Sequence, residues 1–321
     1  MAQETARTHG LAQWVRDLLP YAGLVLLIVY FSFASDFFFN LRNFERLATD
    51  SATLILVALG MTLVILVAEI DLSVGAVVAL LSVVVAQAMA AGIPWHLSVL
   101  LILCLSVLIG AFNGVITVIG QIPSFIVTLG TMAIATGAAF VFTGSISVPI
   151  ADDTFLDLFY SDTVWGIPVP LLIVIIAFAG SLLQLQRTAF GRELFAIGTN
   201  IEAARLSGVA VKRNKIAVFA IMGFLVGWAS VLSASRLGSG APGSSPALTL
   251  DAIAAVIIGG ASLFGGKASI LRALLGALLI AVLNNGMVLL NINVDSQYIV
   301  KGLIILLAVV LERIAAREVA R

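Results

Sequence analysis

Charge is scarce in this sequence. Of its 321 residues only 11% are charged, where a soluble domain carries about 25%. A water-soluble fold of this length would need far more charge to cover its surface, so that class is excluded. Histidine is nearly missing too. His9 and His96 are the only two, which argues against a histidine-based metal or catalytic site. A single cysteine, Cys104, sits in the apolar run LLILCLSVLIG and cannot form an intrachain disulfide. Its expected role is that of a small buried hydrophobe. The net charge of +0 carries no signature of nucleic-acid binding. Long polar stretches are also lacking: the longest are 144–167 and 187–215, too short for a soluble domain.

What fills the chain is apolar sequence. Hydrophobic residues make up 61%, and the mean hydropathy is +1.16. A membrane is the solvent this suits. Apolar runs separated by breaks rich in Gly, Pro, Asp and Asn predict spans at 20–36, 51–70, 73–91, 97–119, 123–143, 168–186, 216–235, 250–265, 270–290 and 297–311. The fold class is therefore an all-α polytopic membrane protein of about ten transmembrane helices, a single domain over 1–321. Almost nothing separates the second span from the third, so Asp71 to Gly75 must be a tight reversal or a broken helix. Gly75 can supply unusual backbone angles, and Asp71 or Ser73 can cap the third span. Residues 1–19 lack a positive n-region, which favours an uncleaved first span over a signal peptide.

Lysine and arginine near span ends set the orientation. With the amino terminus inside, thirteen basic residues fall in inside segments and three (Arg42, Arg46, Arg236) outside, with Lys301 within a span. Asp152, Asp153, Asp157 and Asp162 all fall in the outside loop at 144–167. An even count of spans puts both termini in the cytoplasm. A weak internal echo pairs Asn113-Gly114 and Phe125-Ile126-Val127 with Asn285-Gly286 and Tyr298-Ile299-Val300, an offset of 172 to 173 residues. With ten spans the two sets would run in opposite directions, the sign of an inverted repeat.

Polar residues at membrane depth are few: Asn113, Thr117, Asn284, Asn285 and Lys301. Together with Asp71, the asparagines Asn113, Asn284 and Asn285 are the candidates for lining a translocation path, although an Asn in a span also serves as a bond between helices. Lys301 can pair with Asp295. A chain of carboxylates, as an ion-coupled carrier would need, is lacking.

The inside segment 187–215 reads RTAFGRELFAIGTNIEAARLSGVAVKRNK. Thr199-x-x-Glu202 has the capping-box pattern. Helix formers come next, and Gly208 can close the helix from a left-handed conformation. A helix of about two turns is too short to stand alone in water, so it needs a docking partner. Ala203 and Ala204 leave a low profile for entering a groove.

The stretch GTNIEAARLSGVAV resembles the cytoplasmic coupling loop, the EAA-x3-G motif, of ABC importer permeases. GMTLVILVAEIDLSVG (60–75), PSFIVTLGTMAI (123–134), LDAIAAVIIGGASLFGGKAS (250–269) and AVLNNGMVLL (281–290) are similar to the ribose/xylose/arabinose branch of that family. The resemblance implies a type II importer permease fold in a bacterial inner membrane. It implies a second permease copy, separate ATPase subunits that hold ATP and Mg, and a periplasmic or extracellular sugar-binding protein. By residue, Thr199, Glu202, Ala203, Ala204, Arg205 and Gly208 would meet the ATPase. Arg236, Asp152 and Asp153 would face the binding protein. Two positions depart from the family pattern: Glu69 stands where Gly is common before Ile-Asp, and Leu248-Thr249 where Tyr-Glu is frequent.

No cofactor is expected in this chain. The nearest phosphate-loop candidate, ASLFGGKA (261–268), lacks the leading Gly and the Ser or Thr after Lys267. The function implied is the membrane subunit of an ATP-driven monosaccharide importer, not an enzyme. Alternatives are a permease for a branched-chain amino acid, nucleoside or signalling sugar, an ion-coupled secondary transporter, or a membrane-embedded enzyme.

Overall fold

The computed structural model describes residues 20–319 of the chain, and helix dominates it. Expectations that rest on residues 1–19 lie outside the described residues. Among the described residues thirteen α-helices occur: α1 (Pro20–Ala34), then α2 (Leu41–Leu66), α3 (Val74–Ala90), α4 (Trp95–Gly120), α5 (Ser124–Thr143), α6 (Asp153–Leu156), α7 (Val169–Arg187), α8 (Ala189–Thr199), α9 (Ile201–Leu206), α10 (Val211–Leu237), α11 (Leu248–Ile258), α12 (Ile270–Leu289) and α13 (Val294–Val319). Each of the ten expected spans has a helix under it. Six of them, α2, α4, α5, α7, α10 and α12, are long and apolar enough to cross a membrane. The eighth span differs most. The apolar run predicts a helix to residue 265, yet α11 stops at Ile258 after 11 residues. At a rise of about 1.5 Å per residue it is about 16 Å long, half of a bilayer core of about 30 Å.

The core is built around α10, whose most extensive contact is with α4, followed by α2. Small residues permit the α4–α10 approach. A Cβ on Gly110 would stand 2.2 Å from the Phe219 carbonyl, and one on Gly223 would stand 2.2 Å from that of Ser106. Gly227 sits over the Ser106 hydroxyl and Gly114 against Ile216. Apolar burial does not drive helices together in lipid, so close backbone contact has to. The opposite face of α4 is exposed and carries Leu100, Leu101 and Leu108. Cys104 lies on that exposed face rather than in the core expected for it.

Contact order shows how the helices run. Asp50 approaches Arg236, Gly60 meets Met222, and Glu69 meets Lys215, so α2 and α10 are antiparallel. Ser106 lies by Gly227 and Gly114 by Ile216, so α4 is antiparallel to α10 as well. Asn43 bonds Asn285, and the Leu66 carbonyl accepts from Gly266 just before α12. Thus α12 opposes α2. Each half of the chain repeats one order: a long helix (α2, α10), an unwound stretch, a shorter helix (α3, α11) and two more (α4 and α5, α12 and α13). Since α2 opposes α10, and α4 runs with α2 while α12 runs against it, the halves are inverted relative to one another.

The stretch around Asp71 is a broken helix, not a hairpin. α2 and α3 scarcely touch, and residues 67–73 between them are unwound. Four two-residue strands complete the fold. Val148–Pro149 (β1) pairs antiparallel with Ser239–Gly240 (β4), while Thr163–Val164 (β2) pairs with Ile167–Pro168 (β3). The Ile150 amide donates to the Gly238 carbonyl at 3.0 Å, and the Ser235 hydroxyl to the Leu156 carbonyl at 2.9 Å. The acidic loop and the segment after α10 are thereby joined at one end of the bundle.

Candidate functional site

At the other end of the bundle lies the α8–α9 segment. Its first helix is absent from the sequence-based expectation, although Phe190, Leu194 and Ile197 recur at helical spacing. The Thr188 hydroxyl caps α8 by accepting the Gly191 amide at 3.2 Å. α8 buries Gly191, Leu194 and Ile197. It ends hard against α2: a Cβ on Gly198 would lie 1.9 Å from the Leu66 carbonyl. The turn at Gly265 and Gly266, both in the left-handed region, wraps the same point, with the Gly266 amide donating to Leu66 at 3.0 Å. That amide is taken up by the protein's own backbone, so the phosphate-loop candidate acts as a clasp.

The capping box expected at Thr199 and Glu202 does not form. The cap is Asn200, whose side-chain oxygen accepts the Ala203 amide at 3.0 Å. Thr199 is the last residue of α8 and donates back to the Phe195 carbonyl. Glu202 turns to Arg205, 2.8 Å away on the exposed surface. Asn200 wins because an Asx side chain in extended backbone (φ −157°) reaches the amide three residues on. Gly208 closes the helix at φ +84°, its amide donating to the Arg205 carbonyl at 3.1 Å. Ala204 points inward and is 4% exposed, so Ala203 alone supplies the low-profile surface expected of both. Around it stand Ile201, Glu202, Arg205 and Leu206, the last 85% exposed. α9 is a short helix held by its neighbours and presenting nearly all of its surface.

Two polar centres sit at the helix breaks. In the first, Asp71 is 3% exposed and its carboxylate accepts from the amide and hydroxyl of Ser73, at 2.9 and 2.6 Å. Asn113 donates to the Ser73 hydroxyl at 3.2 Å and accepts from Thr131 at 2.6 Å. Thr128 and Ser124 of α5 take the freed amides of Leu72 and Ile70, each at 3.0 Å. Unwound backbone at depth is tolerable only with such partners.

The second centre is built on Asp251, in the first turn of α11. One carboxylate oxygen accepts from the Lys301 ammonium at 2.9 Å and from the Asn284 amide at 3.1 Å. Lys301 thus pairs with Asp251, not with Asp295 as expected. Both centres draw side chains from the two helices that follow: Asn113 of α4 and Thr131 of α5 beside Asp71 and Ser73, Asn284 of α12 and Lys301 of α13 on Asp251. Asp251 is the residue sequence reasoning missed, because it stands at the head of an apolar run and its partner is fifty residues away. Asn285, grouped with these in sequence, points elsewhere and exchanges amide hydrogen bonds with Asn43 at 3.0 Å.

Thr249, one of the departures from the family pattern, joins the two breaks. Its hydroxyl accepts the Gly75 amide at 2.9 Å, and a Cβ on Gly75 would stand 2.5 Å from the Ser245 carbonyl. The other departure, Glu69, pairs with Lys215 at 2.5 Å, tying the end of α2 to the start of α10. Arg236 lies 3.7 Å from Asp50. Asp152 caps α6 by accepting the Phe155 amide at 3.1 Å, beside the exposed Asp153. No group of acidic, histidine and cysteine side chains able to hold a metal occurs among the described residues.

The comparisons with known proteins fit this arrangement. The model of the family described as "Branched-chain amino acid transport system / permease component" matches residues 43–309. The ribose import permease protein of Haemophilus influenzae is 39% identical over 312 residues, covering 96% of each chain. That of Bacillus subtilis is 38% identical, covering 93% of each. The xylose transport system permease protein of Escherichia coli K12 is 34% identical, covering 92% of this chain and 91% of its own. No solved structure matches the chain. A family match over most of the length, on an inverted helical bundle with polar breaks at depth, places this chain in the family of transport-system permease components.

Proposed function

We propose that this chain is the membrane-spanning subunit of an ATP-driven importer for a monosaccharide. The observation that carries the reading is α9, a six-residue capped helix with nearly all of its surface uncovered. A helix this short is not stable in water alone. Here α8, itself fixed against the Leu66 end of α2 and the 265–266 turn, holds it in place together with α10, as a rigid docking piece requires. Ala203, Glu202, Arg205, Ile201 and Leu206 form the contact with a separate ATPase, and Gly208 sets the angle at which the chain leaves it.

The sugar class rests on the relatives, whose names specify ribose and xylose. The excess of basic residues at the α8–α9 end supports a cytoplasmic placement for it and for both termini. The acidic loop, tied by β1 and β4 to the segment after α10, then lies outside. With Arg236, Asp152 and Asp153 it forms the face that meets a sugar-binding protein. Among the ten helices placed across or into the bilayer, α3 and α11 enter from the two breaks. The exposed apolar faces of α4, α5 and α13 are left for lipid and for a second permease copy.

ATP binding brings the partner ATPases together, and α9 transmits that movement directly to α10 and, through α8, to α7. Asp71, Asn113 and Asn284 act by holding the helix breaks beside the path, since Asp71 and Asn113 are enclosed within the subunit.

Reconstitution of the chain into proteoliposomes with its ATPase and binding protein tests the reading. ATP-dependent accumulation of D-ribose or D-xylose, insensitive to ionophores and not shared by L-leucine, is expected. Uptake that tracks an ion gradient without ATP, or that prefers L-leucine, would refute it.

A further inference from the structure

A cleft of about 350 Å³ lies at the end of the bundle opposite α8–α9, between α2, α10, α12 and the segment that leads into α11. Arg236 and Asp50 stand in its lining, as do Asp251 and Asn284. Each of the latter two keeps one enclosed oxygen without a hydrogen-bond partner, Oδ1 in both cases, which a ligand in the cleft reaches as the side chain turns toward it. A buried acceptor left unpaired is costly, so both oxygens call for a molecule that brings donors.

The charges in the lining are balanced. Asp251 is offset by Lys301, and Arg236 stands against Asp50. Ser51, Thr53, Ser233, Ser244 and Ser245 add hydroxyls. A neutral molecule carrying several hydroxyls suits this lining. A zwitterion would leave its own charges to compete with the two existing pairs.

We infer that the cleft is a polyol subsite, in which Asp251 and Asn284 accept hydroxyl donors from the sugar before it moves inward. The inference rests on the monosaccharide reading and adds the place within this subunit where the sugar first binds. Its volume admits one monosaccharide.

The test is saturation-transfer NMR on the full-length permease in nanodiscs, with D-ribose as probe and L-leucine as control. Transfer to ribose and none to leucine is expected. Val288→Trp, placed at an exposed rim position of the cleft, should abolish the signal without lowering the melting temperature. Ser244→Trp on another wall is the second variant should the first unfold. Asn284→Leu should weaken transfer while leaving leucine silent.

Ribose transfer unchanged in Val288→Trp and Ser244→Trp overturns the subsite, as does equal transfer to leucine. No transfer to ribose in a permease whose complete complex imports ribose also overturns it, with water as the only occupant. Failure of the complex to import any monosaccharide would instead bring down the functional reading beneath it.

Discussion

Gly223 and Gly110 face each other where α4 crosses α10, and each has a backbone carbonyl where a side chain would begin. Gly223→Leu should therefore lower stability by about 1–3 kcal/mol or more through overpacking, read as a drop in melting temperature in detergent. Gly130, with open space around its Cα, should accept Ala with little change in the same measurement. The small-residue spacing in α4 and α10 is legible in sequence, because i, i+4 glycines in an apolar helix have few other uses. The ion pair is not. Lys301 has Asp295 close by in sequence, yet folding brings it to Asp251, which α11 holds in a fixed position. Side chains of the pair are 12% and 9% exposed, so removing one leaves the other buried and uncompensated. Lys301→Met should cost about 3–5 kcal/mol, and adding Asp251→Asn should recover part of it. Thermal unfolding of the single and double variants checks this, and equal losses in both would contradict it.

At the scale of elements, the caps decide what the coupling segment looks like. A Thr three residues before a Glu suggests one cap, but α8 runs through Thr199 and leaves Asn200 as the first extended residue. The helical spacing of Phe190, Leu194 and Ile197 is the local signal for α8, and burying Leu194 and Ile197 against the bundle stabilises it. Asn200→Ala should weaken α9 by about 1 kcal/mol and reduce ATP-driven uptake while leaving the melting temperature of the bundle unchanged. Thr199→Ala, which removes only a bond to Phe195 within α8, should transport normally. α11 is the other element that departs from expectation. Its apolar run continues past residue 258, and length alone predicts a full span. Gly259 and Gly260 end the helix, because a Cβ on Gly259 would stand 2.6 Å from the Arg272 carbonyl and Gly260 takes φ +82°.

For the molecule as a whole, two inverted halves meet at their breaks, with Thr249 bonded to Gly75 and Glu69 clasping Lys215. Echoed letters in the sequence indicate the relation, and antiparallel contacts between α2 and α10 give it physical form. At the first break Ser124 and Thr128 take the freed amides of Ile70 and Leu72, while the Asp251–Lys301 pair stands just after the second. Movement of α9 can then reach the breaks through α10, since Lys215 stands at the start of α10 and Glu69 at the first break. Charge reversal at one position, Lys215→Glu, should impair both stability and uptake. The exchange Glu69→Lys with Lys215→Glu should restore part of each, measured by melting temperature and by ATP-driven uptake. The most direct test of energy coupling through α9 compares uptake with ATP hydrolysis in one reconstituted complex. Substituting Gly208→Val or Ala203→Trp should abolish D-ribose uptake and its stimulation of ATPase activity, while the permease inserts and melts as wild type does. Wild-type uptake in both variants would contradict that role for α9.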